Sequence, residues 1–186
     1  VGEFNKYDGR VHLMERIEDT GVFELFIPGL AAGCGYMYEI KRQGKGTTRK
    51  LDPVSRQISS VPITASVVSD ENMPDSYAWN DGLWMIKRKK EAGKKKPVTV
   101  YEVSLTDWLK EKSADELVDF VKQEGYTHVC FLPVAEYLNE EMNGYSTLGY
   151  FAVTHRTGGS DAFKKLVDDC HNAVSYTHLR AHETRR

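Results

Sequence analysis

Gly144 to Gly159, GYSTLGYFAVTHRTGG, packs aromatics and glycines between the apolar run Thr127 to Pro133 and a helical pattern that follows. Such density between a strand and a helix marks a ligand-facing loop on a βα framework. The other groups able to do chemistry are scattered. Glu140 and Glu141 are adjacent, and Asp168 and Asp169 fall on the outer face of a helix, so neither pair sets two carboxyls facing each other. His12, near Asp8 and Glu15 in a hairpin-rich segment, reads as a surface residue. His178 and His182 stand four apart and would share one face of a helix; with His171 and Glu183 they make a metal set that completes no ligand triad of known spacing. Cys34, Cys130 and Cys170 are odd in number and lack metal-ligand spacing. Cys130 and Cys170 lie on apolar faces, the pattern of buried, reduced thiols in a cytosolic protein.

The elements that position the loop follow from periodicity. The 186 residues, 28% charged and 40% hydrophobic, suffice for one good core or two modest ones. The net charge of -2, with acids and bases interspersed, gives no reason to invoke nucleic acid or an anionic membrane. No apolar run approaches a membrane span, and Val1 to Arg10 lacks the apolar centre of a signal peptide. Val1 to about Val68 reads as short strands separated by glycine and proline, including Val22 to Ile27 and Gly35 to Ile40, which argues for a β-sandwich. Asp70 to Pro97 has little periodicity, and its lysines, Lys87 to Lys90 and Lys94 to Lys96, read as a solvated linker. Thr99 to Leu105 suits a strand buried on both faces. Ser113 and Glu116 form a capping box for a helix stopped by Gly125. Thr127 to Pro133 is a second buried strand, and Ser160 caps a helix with Phe163, Leu166, Val167 and Cys170 on one face. Strand, helix, strand, loop, helix is a parallel βαβα unit, whose ligands bind at the C-terminal ends of the strands, here Pro133 to Gly159.

Several phrases resemble known families. DGRVHLM, GVFELFIPG and LDP at Leu51 to Pro53 are similar to the family-48 carbohydrate-binding module, an immunoglobulin-like β-sandwich that precedes the catalytic barrel in branching enzymes. A strand usually precedes the phrase GEFNKYDG, so the resemblance implies an incomplete sandwich. Trp79, Asp81, Trp84 and Met85 match that family's crossing into the barrel and read as interdomain packing. VYEVSL, GYTHVCFLPVAEY and GYSTLGYFAVTHRTGGSDAFKKLVDDCH resemble the first two βα units of the (β/α)8 TIM barrel of glycoside hydrolase family 13, in its branching-enzyme branch. The implied domains are a sandwich over 1–69, a linker over 70–97, the start of the barrel over 98–173 and a non-native tail over 174–186.

By that resemblance Tyr145 stacks under a sugar ring, and Glu136 is a substrate-site acid acting as a loop-ordering hydrogen-bond acceptor, while Tyr150 and Phe151 anchor the loop in the core. Tyr137, Asn143, Ser146 and Val153 depart from the family's usual residues. The implied chemistry is retaining transfer of α-1,4-glucan segments to 6-hydroxyls. It needs no metal or organic cofactor, and its partners are α-glucans such as glycogen or amylose-like chains, in the cytoplasm, with no nucleic acid or membrane. The nucleophile and acid/base belong to later barrel strands, so no catalytic residue is assigned here and the chain is expected to be inactive. Val174 to Thr184, VSYTHLRAHET, has no apolar strand pattern and resembles one reading frame of a transposon-based sequencing adapter. Two alternatives stay open: a non-catalytic glucan-binding module, and a fragment of an α-amylase or debranching hydrolase.

Overall fold

The computed structural model describes residues 1–59, 63–70, 77–173 and 176–179. They fall into two compact units, Val1–Pro74 with Gly149–Ala152, and Asp75–Leu148 with Val153–Arg186.

The first unit consists of short antiparallel pairs. β1 (Glu15–Arg16) pairs with β2 (Phe23–Glu24). β3 (Gly35–Tyr36) is followed by a hairpin of β4 (Tyr38–Arg42) and β5 (Gly46–Lys50), turned by Gly44 and Gly46 at positive φ. β6 (Ile58–Ser59) and β7 (Ala65–Val67) complete a sheet of order β3-β7-β6. The run Val22 to Ile27 yields only a two-residue strand because its apolar side chains stay in solvent, Phe23 at 57% and Phe26 at 86% exposure. The firmest point is a buried polar knot. Tyr36 and Tyr38 donate their hydroxyls to the buried Asp52 carboxylate, and the Asp52 amide donates to Ser66 Oγ at 2.9 Å. Burial, then the Asp52 hydrogen bond and charge, push the Tyr36 phenol above its ordinary pKa.

The second unit opens with α1 (Gly82–Glu91), so Lys87 to Lys90 ride on a helix rather than an irregular linker. Trp84 organises this helix: it stacks on His171 at 3.6 Å and carries the Arg88 guanidinium 5.3 Å from its ring centre. Along the chain then come β8 (Val100–Val103), α2 (Leu105–Trp108), α3 (Ala114–Gln123), β9 (His128–Phe131), β10 (Ala135–Tyr137), β11 (Thr147–Val153, of which Gly149–Ala152 belong to the first unit), α4 (Gly159–Asn172) and β12 (Tyr176–Leu179). Ser113 and Glu116 close the capping box of α3, with Glu116 N–H donating to Ser113 Oγ at 3.2 Å and Ser113 N–H to Glu116 Oε2 at 2.7 Å. The core lies between one face of the sheet and the helices. Leu117, Val129 and Phe131 are fully buried, Val121, Leu166 and Cys170 nearly so, and the Phe131 and Phe163 rings meet edge to face at 5.6 Å. Burying a side chain of this size contributes about 1.5–3 kcal/mol.

Further expectations need correction. β8 is covered on one face only: Val103 is buried, whereas Val100 is 51% exposed, because helices pack on a single side of the sheet. For the same reason Cys130, on the other face, is half-buried, as is Cys34, while Cys170 is enclosed and its thiol is pushed up to about 12. Gly158, not Ser160, occupies the N-cap of α4, since its φ of +85° turns the chain directly into the helix. Tyr150 and Phe151 are 67% and 65% exposed; they point to opposite sides of a two-stranded ribbon too narrow to cover them. Tyr176–Leu179 forms a strand despite its unpromising sequence, pairing in parallel with β9 to give the order β12-β9-β8. The rest of the 174–186 segment, including His182 and Glu183 of the metal set, lies outside the described residues.

Asp168 departs from its expected surface position because the segment before α1 lies across α4. It is 3% exposed and accepts from the Tyr77 hydroxyl at 3.2 Å and the Asn80 amide at 3.0 Å. Asp168→Ala is expected to cost roughly 1–3 kcal/mol in urea unfolding by leaving these donors without their acceptor. Asp169→Ala, removing an exposed pair with Lys165, should cost no more than about 1 kcal/mol.

Candidate functional site

The C-terminal ends of β8 and β9 open on a small cleft of about 40 Å³, lined by Ser104, Thr106, Asp107, Pro133, Val134 and Tyr137 among others. Ser104 caps α2 by accepting from the Asp107 amide, and Asp107 holds Lys110 at 2.8 Å, so the chain leaving β8 turns sharply away from the strand axis. The chain leaving β9 enters β10, which pairs with β11 and carries Glu136.

Glu136 is 1% exposed, and its carboxylate is a hub. Oε1 accepts from the Arg156 guanidinium at 2.6 Å, from Thr154 Oγ1 at 3.2 Å and from the Tyr137 amide at 3.2 Å. Oε2 accepts from the His155 amide at 3.0 Å and lies 2.9 Å from His155 Nδ1. An ionised carboxylate only accepts, so that contact places the imidazole proton on Nδ1. The Thr154 amide donates to Val134 O at 2.8 Å, and Arg156 lies over the Tyr137 ring at 4.4 Å. Burial pushes the Glu136 pKa up; the His155 side chain and amide, with the Tyr137 amide, outweigh it and hold the carboxyl below its usual value. With both oxygens taken by protein donors, Glu136 ties the start of the loop to its end.

Tyr145 occupies the tip of that excursion. Its amide donates to Met142 O at 2.9 Å, and Leu138 N–H donates to Ser146 O at 3.0 Å across the base of the turn. Gly144 is buried at φ +85°, and a Cβ there would stand 2.6 Å from Pro133 O, so this turn accepts only glycine at that point. Tyr145 is half-buried and Glu136 enclosed, so the two candidates share a ribbon but occupy different environments. Residue-type reasoning missed Thr154, His155 and Arg156. The signal was present: a carboxylate beside an apolar strand requires donors, and this polar triplet follows directly on β11. Among the described residues no three His, Cys, Asp or Glu side chains converge as a metal would require, and no helix is long and apolar enough to cross a membrane.

Residues 1–55 match the family model described as carbohydrate-binding module 48 (isoamylase N-terminal domain). The 1,4-alpha-glucan branching enzyme GlgB of Nitrosococcus oceani is 41% identical over 92% of this chain and 24% of its own length. That of Thiobacillus denitrificans is 42% identical over 93% of this chain and 24% of its own length. Over most of its length the chain is similar to a segment of these branching enzymes. It spans about a quarter of the length of the curated relatives it matches. Among solved structures, a putative alpha amylase from Salmonella typhimurium superimposes with a TM-score of 0.64 at 24% identity, over 89% of this chain and 26% of that one. A GBS pullulanase, solved with maltotetraose, gives 0.52 at 20% identity, over 78% of this chain and 24% of that one. At these identities the likeness is one of fold alone.

Glu136→Gln removes the charge that His155 and Arg156 face. It should destabilise the protein by roughly 2–4 kcal/mol at neutral pH, measured by chemical unfolding. The pH profile separates charge from shape. A carboxyl whose folded pKa lies below its ordinary 4.5 contributes fully above that pH and loses its contribution as acid protonates it. The parent should therefore weaken as pH falls below 4.5, and the glutamine variant should weaken less steeply over the same window.

Proposed function

We infer that the whole protein to which this chain corresponds is a 1,4-alpha-glucan branching enzyme, transferring α-1,4-glucan segments to 6-hydroxyls by a retaining mechanism. The observation that carries this reading is identity of 41% to a branching enzyme running through both units of the chain rather than through the module alone. In this reading β8, β9 and their helices are the first two βα units of a (β/α)8 barrel, and the cleft at their C-terminal ends is one wall of its glucan site. Tyr145 supplies a flat face for a pyranose, and Glu136 positions the loop beneath it without touching sugar. The boundaries 1–69, 70–97 and 98–173 describe module, connection and barrel start, and 174–186 is a non-native extension. Among the described residues no two carboxyls are set to face each other across a sugar, so this reading assigns no nucleophile or acid/base to them. The reaction requires no metal or organic cofactor and proceeds in the cytoplasm.

A second reading, a glucan-binding module without catalysis, is favoured by the carbohydrate-binding match over residues 1–55. Two assays on the 186-residue chain separate the readings. Incubated with amylose, it should form no α-1,6 linkages by isoamylase debranching analysis; branch formation overturns the assignment of the carboxylates. In affinity electrophoresis against glycogen, Tyr145→Ala should weaken retardation about 3- to 10-fold, the worth of one aromatic stack. If only a sandwich variant such as Phe26→Ala weakens it, binding belongs to the module.

A further inference from the structure

Helix α1 presents its apolar side chains outward. Trp84 stacks on His171, Arg88 lies over the Trp84 ring and Glu91 is half-buried, so the side turned to the protein is a narrow stripe at the spacing i, i+4, i+7. No residue of the helix is buried. Leu83 is 83% exposed and Ile86 55%, and Met85 is exposed with them. A helix that only packed on a core would turn such residues inward, so the usual amphipathic arrangement is reversed here.

The cations are segregated in the same stretch. Residues 82–96 hold seven Lys or Arg against one Glu, in a chain whose net charge is -2, so the even balance of the whole conceals a local excess. They are also held together. Ala92 at φ -55° and ψ 129° and Gly93 at φ +83°, with Lys94 N–H donating to Glu91 O at 3.0 Å, form a type II turn. Lys96 then meets Glu91 at 2.7 Å, which folds the second lysine run back against the end of α1. Lys87, Lys89, Lys90, Lys94 and Lys95 form no ion pair among the described residues. A polyanion alone would match these lysines and leave Leu83, Met85 and Ile86 in water. An anionic lipid surface matches both, with phosphates for the cations and an acyl boundary for the apolar side chains, while the lysine stems are long enough to reach from one to the other.

We propose that α1 and the turn after it dock on an anionic phospholipid surface. The helix lies in the interface, with Leu83, Met85 and Ile86 toward the acyl boundary and Lys87, Lys89, Lys90, Lys94 and Lys95 against headgroup phosphates. None of these residues belongs to the glucan-facing loop, and the docking does not depend on the branching-enzyme reading.

Flotation of the full 186-residue chain with lipid vesicles provides the test. Vesicles of equal parts phosphatidylglycerol and phosphatidylcholine should carry the chain, and phosphatidylcholine alone should not. Lys89→Gln with Lys90→Gln should weaken binding on the order of tenfold or more, since each cation beside a charged membrane is worth roughly fivefold. Leu83→Gln with Ile86→Gln keeps every charge and should weaken it by about tenfold or more, because the apolar insertion is lost. Both pairs are exposed, so circular dichroism and the urea midpoint should stay as in the parent. With anionic vesicles present, hydrogen exchange should slow across residues 82–96 and not at the exposed β1 and β2 hairpin. The proposal is overturned if anionic vesicles carry no more chain than neutral ones, if either double variant binds like the parent, or if the protection appears elsewhere. It is equally overturned if duplex DNA binds the parent and the Leu83→Gln, Ile86→Gln variant alike while neither floats, since the surface would then be a polyanion site without an apolar part.

Discussion

The buried carboxylate of Glu136 constrains everything at the C-terminal ends of the parallel strands. An ionised group at 1% exposure is tolerable only with its lone pairs filled. The donors come from Tyr137 beside it and from Thr154, His155 and Arg156 at the far end of the loop. The same bonds therefore close the long excursion between β10 and α4 and hold its ends at one place. A loop pinned this way can keep Tyr145, the proposed sugar contact, in a defined position without Tyr145 having to be buried itself.

A second constraint is the one-sidedness of the sheet. Helices α3 and α4 cover the face carrying Val129 and Phe131, and the opposite face leaves Val100 exposed and Cys130 half-buried. In the eight-stranded barrel proposed above, that uncovered face would be the interior, filled by layers of side chains from other strands. Here it is left without a covering layer among the described residues. The uncovered face and the pairing of β9 with the four-residue β12 have the same origin, because a short parallel sheet satisfies neither its second face nor its edges by local contacts.

Legibility in the sequence divides along the range of the interaction. The capping box of Ser113 and Glu116, the apolar stripe of Phe163, Leu166 and Cys170 and the parallel βαβα order were readable because each is written within one turn, one helix face or one strand spacing. The family resemblance was readable because phrases in order survive independently of packing. Asp168 was misplaced on a solvent face because nothing within α4 announces that Tyr77 and Asn80 arrive from 88 or more residues away. Tyr150 and Phe151 were expected to anchor the loop in the core, although a narrow ribbon leaves them in solvent.

By itself, then, the sequence determined the order of elements, the two-part composition and the loop in which Tyr145 sits, since these depend on local periodicity, turn chemistry and capping. Only the tertiary structure decided that Glu136 is locked by Thr154, His155 and Arg156, that Asp168 is buried, and that Tyr176–Leu179 is a strand. Each of those depends on which distant backbone or donor group fills an otherwise unsatisfied partner, and that choice is made by proximity in the fold rather than by any pattern along the chain.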